Sequence, residues 1–369
     1  MEIVSEEFWQ GKKVFITGHT GFKGAWLLIW LLKKNAIICG YSLKEDNNSL
    51  FKSLIKSNPQ LISKFNNNYQ DINNFQSIRQ AIKIFQPDVI FHLAAQAIVS
   101  RGYEDPISTW QTNVMGSLNL LECLKSLGKR CAVIMVTTDK VYKNKEWLYG
   151  YREVDQLGGI DPYSASKSAA EIAIASWRFS FSASEGNDLR IGSVRSGNVI
   201  GGGDWATNRI IPDSMRALLN NQKVIVRNPL SRRPWLHVLE PLHGYMLLAE
   251  KLYLSEKGSK FESEFNFGPK LENNKTVEEL VRQVFAYFPG EYEISKDLNN
   301  NYESKVLHLN TDKSSDMLKW SPILDFPETI KMTIQWYIKN MDEKIKESPF
   351  KLCITDINNY EKLLAKISR

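Results

Sequence analysis

The chain predicts an α/β fold: a doubly wound, parallel sheet joined to a smaller, discontinuous α+β domain. Three observations carry this reading. Apolar strand patterns alternate with helical stretches through the first half of the chain. A glycine triplet sits where the first strand turns into the first helix. After about Gly192 the alternation loosens into a segment rich in Gly, Asn, Arg and Pro, poor material for a core and good material for a binding surface.

The elements follow in order. Lys13-Val14-Phe15-Ile16-Thr17 reads as a buried first strand, followed by the loop Gly18-His19-Thr20-Gly21-Phe22-Lys23-Gly24 and a helix from about Ala25 to Lys33. Ala36 to Tyr41 is a second strand. Helix Ile78 to Phe85 precedes a strand over Pro87 to Ala95, and helix Val114 to Leu127 leads to the strand ending at Val136. Val238 to Tyr253 reads as a helix returning to the sheet. Short helices over Val277 to Tyr287 and Ile330 to Ile338 flank a strand near Lys305 to Leu309, and a surface helix follows Pro349. The expected division is a Rossmann-type domain over residues 1–193, with 236–262 returning to it, and a second domain over 194–235 and 263–369.

Composition excludes several classes. The 369 residues, 43% hydrophobic and 24% charged, are those of an ordinary globular protein. The N-terminus is acidic and lacks a signal-peptide core, and no apolar run approaches the roughly 20 residues that span a bilayer. A cytoplasmic protein without a membrane partner is expected. The four cysteines are scattered without a CxxC pair and read as buried free thiols; the five histidines show no ligand spacing, so no metal is expected. The net charge of +6 is spread among acids, with clusters no longer than pairs such as Lys12-Lys13 and Arg232-Arg233. It points to a solvated surface or an anionic small-molecule substrate, not to nucleic acid. Asn66-Asn67-Asn68 and Asn299-Asn300-Asn301 read as compositional drift.

Gly18, Gly21 and Gly24, between a strand and a helix, have the context of a dinucleotide site: tight turn, close approach to a pyrophosphate, close helix–strand packing. Lys23 is either a phosphate contact or a solvated lysine. The second strand ends in Tyr41-Ser42-Leu43 without an acid for the ribose, and Glu45 and Asp46 come late, so the loop alone leaves NAD and NADP open. Asp71-Ile72 is placed to meet an adenine ring, or is a turn. Ala94-Ala95-Gln96 ends a strand with residues small enough for a nicotinamide ribose. Asn113 is expected to bridge helix and strand backbone, and His92 to be a satisfied core histidine.

Two strings carry the chemistry. Thr137-Thr138-Asp139-Lys140 places a hydroxyl, a carboxylate and an amine at the end of the strand Ala132 to Val136, where open α/β sheets put their active sites. Tyr163-Ser164-Ala165-Ser166-Lys167 puts a tyrosine and a lysine on one helix face, and a nearby ammonium favours a phenolate. Together they suggest an enzyme that oxidises a carbinol and does acid/base work beside it.

These residues resemble the extended short-chain dehydrogenase/reductase (NAD-dependent epimerase/dehydratase) superfamily, from about Trp9 to Trp336. Within it they are similar to the nucleotide-sugar 4,6-dehydratases. The specific parts are the Gly18–Gly24 loop, Thr138-Asp139-Lys140, Gly197-Asn198-Val199-Ile200-Gly201-Gly202-Gly203-Asp204-Trp205-Ala206, and Arg233-Pro234-Trp235-Leu236-His237-Val238-Leu239-Glu240-Pro241. Lysine at position 140, where most such dehydratases carry glutamate, looks like the branch that acts on CDP-glucose. The resemblance implies tightly held NAD, bound by Gly18, Gly21, Phe22, Lys23, Gly24, Asp71, Ile72, Ala94, Ala95, Gln96, Tyr163 and Lys167. It also implies substrate contacts from Asn198, Arg209 and Arg233, with Arg232 the alternative to Arg233. A homodimer or larger homo-oligomer through the helices near Val114–Leu127 and Tyr163–Ser180 is implied too. The roles it implies are Tyr163, aided by Lys167, as base at the C4 hydroxyl and Thr138 as its positioner. Lys140 then acts as base at C5, and Asp139 as acid for the departing 6-hydroxyl. Ser100 and Gly102 depart from a more basic stretch, and Lys319 stands where glycine is usual. A dehydratase for another nucleotide hexose, a 4-epimerase (which needs no pair like Asp139-Lys140) and a non-catalytic NAD-sensing regulator remain the competing readings.

Overall fold

Seven parallel strands form the sheet that the alternation predicts, in a computed structural model that describes residues 1–182, 186–295, 306–341 and 346–368. They are β1 (Lys13–Thr17), β2 (Ile37–Ser42), β3 (Asn66–Tyr69), β4 (Val89–His92), β5 (Arg130–Val136), β6 (Asp188–Ser196) and, much later, the strand Glu264–Phe267. From one edge the order is Glu264–Phe267, β6, β5, β4, β1, β2, β3. The chain therefore steps outward one way from β1 and the other way from β4. A crevice opens between the carboxyl ends of those two strands.

Alternate residues feed two cores, because successive side chains point to opposite faces. Val14 and Ile16 pack with Trp26 and Trp30 on one face. Phe15 packs with Tyr41, Ile90 and Leu120 on the other. All four cysteines are free and buried.

Several expectations need correction. Asn66-Asn67-Asn68 is not drift: it forms most of edge strand β3, where Asn68 Nδ2 donates to Gly40 O at 3.2 Å. An edge strand tolerates polar residues on its open side, so no apolar pattern announces it. The helix after Asn113 begins as a wide turn over Gln111–Met115 and ends at Leu124 rather than Leu127. The strand expected near Lys305 to Leu309 is reduced to one bridge between Leu309 and Tyr151, and Lys305 lies outside the described residues, as does Asn299-Asn300-Asn301.

The second region is built from short ribbons. β7 (Val199–Ile200) pairs with β10 (Leu236–His237), β8 (Val224–Val226) with β13 (Tyr292–Ile294), and β9 (Arg232–Pro234) with β12 (Asn274–Thr276); β11 is the sheet strand Glu264–Phe267. β11 lies past residue 262, so the return to the sheet runs further than the expected boundary. Helix Leu239–Leu254 is part of that return, packing on β5 and β6.

The C-terminal helix, Pro349–Ile367, also departs from expectation. It buries Leu352, Cys353, Ile357, Tyr360 and Leu364 and packs against helices Phe22–Lys33 and Leu50–Ser57 of the first domain. Glu361 clasps it there, accepting from Trp30 Nε1 at 2.9 Å and pairing with Lys34 at 2.9 Å. Among the described residues no helix is long and apolar enough to cross a membrane.

Lys319, where glycine is usual, ends helix Asp312–Leu318 in the left-handed region at φ 51°. A side chain costs about 1–2 kcal/mol in that conformation, part of which glycine returns through its freer unfolded state. Lys319→Gly is expected to stabilise by about 0.5–1 kcal/mol, seen as a higher urea midpoint at unchanged slope. A lower midpoint would mean that the lysine side chain earns its place.

Candidate active site

The glycine loop lies at the switch between β1 and β4. Gly18 has φ +74°, and a Cβ there would fall 2.7 Å from Ala94 N, in the backbone beyond β4. A Cβ on Gly24 would fall 2.1 Å from Gly18 O. Helix Phe22–Lys33 starts at Gly21 with no side-chain cap, so its first N–H groups are not taken by a side chain and suit phosphate oxygens. This cradle fits a dinucleotide.

Around it the predicted residues take definite places. Ala94 N donates to Thr17 Oγ1 at 3.1 Å, and Thr17 Oγ1 meets His92 Nδ1 at 2.8 Å. His92 Nε2 meets Ser117 Oγ at 2.9 Å, and burial holds its pKa down near 3, so it is a neutral core histidine as read. Asn113 bridges as expected: its Oδ1 accepts from Gln96 N at 2.9 Å and its Nδ2 donates to Gln96 O at 3.1 Å. The Gln96 side chain is spent on Thr109 and on Ile98 N. Asp71 Oδ1 accepts from Asn73 N at 2.8 Å, an Asx turn, while Ile72 is buried beneath Gly116. β2 ends in Ser42, bonded to Thr20 at 2.7 Å. Glu45 lies beside Tyr69, the end of β3, and close enough to His19 of the glycine loop to act on its charge.

The two strings read as carrying the chemistry meet at the end of β5. Thr138 Oγ1 donates to Asp139 Oδ1 at 3.0 Å, and Asp139 opens a single helical turn that carries half-buried Lys140. Asp161 and Ser164 form a capping box, with Pro162 in the first turn, that starts helix Pro162–Phe181. Tyr163 and Lys167 thus stand one turn apart, buried, facing β5. Gly102 packs closely here: a Cβ would press on Tyr163 N at 3.2 Å, so a side chain at this position would have to shift the start of the tyrosine helix slightly. Ser100, of the same short helix, accepts from Asn208 Nδ2 at 3.3 Å.

Burial sets the proton affinities of the Tyr163 and Lys167 pair. Lys167 Nζ donates to Val136 O at 3.3 Å, and burial, partly opposed by Glu171, lowers its pKa to about 8. Tyr163 is pushed up to about 12: burial dominates, Asp139 and Asp161 add to it, and Thr138 and Arg209 pull the other way. Lys167 is not among the groups that offset the burial of this phenol, itself being desolvated beside it.

Lys23 is neither a solvated lysine nor, here, a loop ornament. Its Nζ donates to Ser196 Oγ at 2.9 Å at the end of β6, and Ser196 meets Tyr245 OH at 2.6 Å. Burial lowers its pKa to about 7, with Arg209 and Lys167 adding to the fall and Asp139 opposing it. The next residue, Gly197, lies so close to Asp139 that a Cβ would sit 1.8 Å from Oδ2. Asn198 follows at φ 39°, and Arg209 reaches the same cluster from the start of helix Ile210–Leu219, held by Asp204 at 2.8 Å. Arg233 stands apart, buried on the β9–β12 ribbon, with its Nη1 donating to Arg232 O, while Arg232 faces outward.

Sequence reasoning missed three contributors. Glu171 lies four residues beyond Lys167, and its buried pair with Arg195 at 2.7 Å anchors the helix face that carries Tyr163. Burial would raise its carboxyl, but Arg195, Thr137 and Ser193 hold it below the usual range. The i, i+4 spacing announced it. Ser196 gave no signal, and Gly197, read only as the head of the Gly197–Ala206 string, gave none of its approach to Asp139, since the value of both lies in a contact between strand ends.

Comparison with known proteins agrees with this geometry. The family described as GDP-mannose 4,6 dehydratase matches residues 15–333. The CDP-glucose 4,6-dehydratase of Salmonella typhimurium is 43% identical over 339 residues, covering 91% of this chain and 93% of that protein. The crystal structure of dTDP-glucose 4,6-dehydratase from Bacillus anthracis in complex with NAD superposes with a TM-score of 0.73 at 22% identity, over 90% of this chain and 98% of that one. UDP-glucose 4-epimerase from Thermotoga maritima, with UDP-glucose, gives 0.73 at 20% identity, over 89% and 100%. At such identities the structural likenesses speak to the fold.

Proposed function

The chain belongs to the GDP-mannose 4,6-dehydratase family, and from that premise we propose that it is an NAD-dependent hydro-lyase converting CDP-glucose to CDP-4-dehydro-6-deoxyglucose and water. The observation that carries the reading is the buried Thr138-Asp139 pair, followed by Lys140, meeting Tyr163 at the carboxyl end of β5. An oxidation alone needs no such acid and base.

Gly18, Gly21, Phe22 and Gly24 would hold the pyrophosphate of NAD, with Asp71 and Glu45 at its adenosine end and Ala94 and Ala95 beside the nicotinamide ribose. When bound, NAD would supply a reversible hydride acceptor and a positively charged ring among these groups. Tyr163 removes the proton of the C4 hydroxyl, which Thr138 orients. The C4 ketone acidifies the C5 proton, so oxidation must come first. Lys140 takes that proton, Asp139 protonates the 6-hydroxyl as the C6–O bond breaks, and Lys140 gives its proton back to C5. Lys167 and Arg209 oppose the negative charge that collects around Tyr163 and Asp139.

Substrate diphosphate falls to the basic residues of the second region. Arg233→Ala is expected to weaken nucleotide-sugar binding by roughly 1.5–3 kcal/mol, the loss of a charge-assisted clamp, and to leave NAD affinity unchanged by calorimetry. Equal losses would make Arg233 scaffold. A homodimer is proposed through the helices near Val114–Leu127 and Tyr163–Ser180. Their surroundings leave Met115 45%, Ile172 61% and Phe179 90% exposed, a costly face for a lone chain. The cytoplasm is the proposed compartment. Products from CDP-, dTDP-, UDP- and GDP-glucose, identified by mass spectrometry, test the activity. A 4-keto-6-deoxy product from CDP-glucose without net NADH is expected; CDP-galactose would establish an epimerase, and stoichiometric NADH a simple dehydrogenase.

A further inference from the structure

The two strings meet where the sheet no longer holds the chain. The register of β5 with β6 ends at Val136 and Val194. Thr138, Asp139 and Lys140 then ride on one short helical turn, Asp139–Val141, capped by Thr138. Bonds within that turn give it a shape but not a place. Its groups stand in register with Tyr163 only as far as contacts from outside put the turn there.

Those contacts converge on one buried ion pair. Glu171 lies one turn beyond Lys167 on the tyrosine helix. Its Oε1 accepts from Thr137 Oγ1 at 2.5 Å, just ahead of the turn, a closer contact than the 3.2 Å from that hydroxyl to Val194 O. Its Oε2 accepts from Ser193 Oγ at 2.9 Å and from Arg195 Nη2 at 2.7 Å, both on β6. Arg195 Nη1 donates to Tyr142 OH at 2.8 Å, just past the turn, and to Glu153 O at 3.1 Å. Ser168, from the same helix as Glu171, donates to Val141 O at 2.8 Å. Thr137, Tyr142, Ser168, Glu171, Ser193 and Arg195 are all buried. The residues before and after the turn are thus tied to the two halves of one carboxylate–guanidinium pair. The carboxylate belongs to the helix that carries Tyr163 and Lys167.

We propose that Glu171 and Arg195 are positioning residues for the reaction: their ion pair grips both ends of the turn that carries Thr138, Asp139 and Lys140 and sets it against Tyr163. This role deepens the dehydratase reading and rests on it. Both residues act through Thr137 and Tyr142, not on the substrate. Charge suits the task. A carboxylate accepts at several sites and a guanidinium donates in a fixed fork, so one pair can serve partners from several segments in set directions. Apolar residues of similar volume could pack here with equal or greater stability, but apolar contact has no direction. Burial opposes the charge on Glu171, yet Arg195, Thr137 and Ser193 hold its carboxyl below the usual range, so the grip persists at neutral pH. The consequence is kinetic, since a displacement of about 1 Å among reacting groups can cost about a hundredfold in rate.

The test releases one end at a time without removing a charge. Thr137→Val keeps the shape of the side chain and loses the hydroxyl, while Thr137→Ser keeps the hydroxyl. Tyr142→Phe releases the other end and keeps the ring that stacks on Tyr151. Bound NADH is followed by absorbance in a single turnover of CDP-glucose, and 6-deoxy product by mass spectrometry. Calorimetry gives the affinities for NAD and CDP-glucose, and the urea midpoint gives stability. Thr137→Val and Tyr142→Phe are expected to form NADH and product roughly 10–10²-fold more slowly in folded enzyme, with both affinities near wild type. Thr137→Ser should recover most of the lost rate. A merely structural pair would lower the urea midpoint and leave the rate of the folded enzyme unchanged, and that result overturns the proposal. So does a Thr137→Ser variant as slow as Thr137→Val, or a loss confined to the affinities. If Thr137→Val does not fold, Tyr142→Phe decides by the same comparison of rate with affinity. Wild type that yields neither bound NADH nor 6-deoxy product from CDP-glucose removes the dehydratase reading and this role with it. Wild type that yields both, with the variants at its own rate, removes the grip and leaves the dehydratase standing.

Discussion

Tyr163→Phe is expected to form bound NADH roughly 10²–10⁴-fold more slowly than wild type, the range lost with a general base. The phenol is the group that meets Thr138, and the ring sits in a buried first helical turn fixed by Asp161, Pro162 and Ser164. Phenylalanine fills the same space and leaves the capping box intact, so folding and both ligand affinities should be close to wild type. Single-turnover absorbance reads the rate, and calorimetry reads the affinities. A variant with near wild-type NADH formation would place the base elsewhere.

Lys140→Ala should separate the two halves of the reaction. Oxidation at C4 needs Tyr163 and Thr138, which this change does not touch. Water loss needs an acceptor for the C5 proton, and alanine offers none. NADH should therefore appear on the enzyme at near wild-type rate and persist, while 6-deoxy product forms roughly 10²–10⁴-fold more slowly. Rapid product formation would mean another amine serves as the C5 base. Lys23 is then next in line, since the fold brings it beside Asp139 with its pKa lowered to about 7. Absence of NADH with substrate bound would move Lys140 to the oxidation step.

How much of this was legible follows from the range of each interaction. The central strands, the glycine loop and the Tyr163…Lys167 face were written in local periodicity, which needs no partner to be read. β3 was not, because an edge strand of asparagines has no apolar signature and takes its identity from Gly40 next door. The place of Arg195 depended on Glu171, 24 residues earlier, and the route of Lys23 to Ser196 spans 173. Such pairings are made by the crossing of strands, and the sequence names the residues without naming the meeting. The high proton affinity of Tyr163 was hidden for the same reason: spacing on a helix shows that Lys167 is near, while burial decides what nearness is worth.

The clasp of Glu361 on Trp30 and Lys34 has a consequence for how the protein is made. The first six strands leave the ribosome well before β11, which flanks β6, and before helix Pro349–Ile367, which packs on helices Phe22–Lys33 and Leu50–Ser57. Ser368 Oγ also donates to Met1 O at 2.8 Å, a contact between residues far apart in the chain. Until then the outer face of helix Phe22–Lys33 stands uncovered in the nascent chain, with two buried tryptophans near it. Closure over this helix thus depends on residue 361, made long after it, and in the interval its apolar face is open to association with other chains.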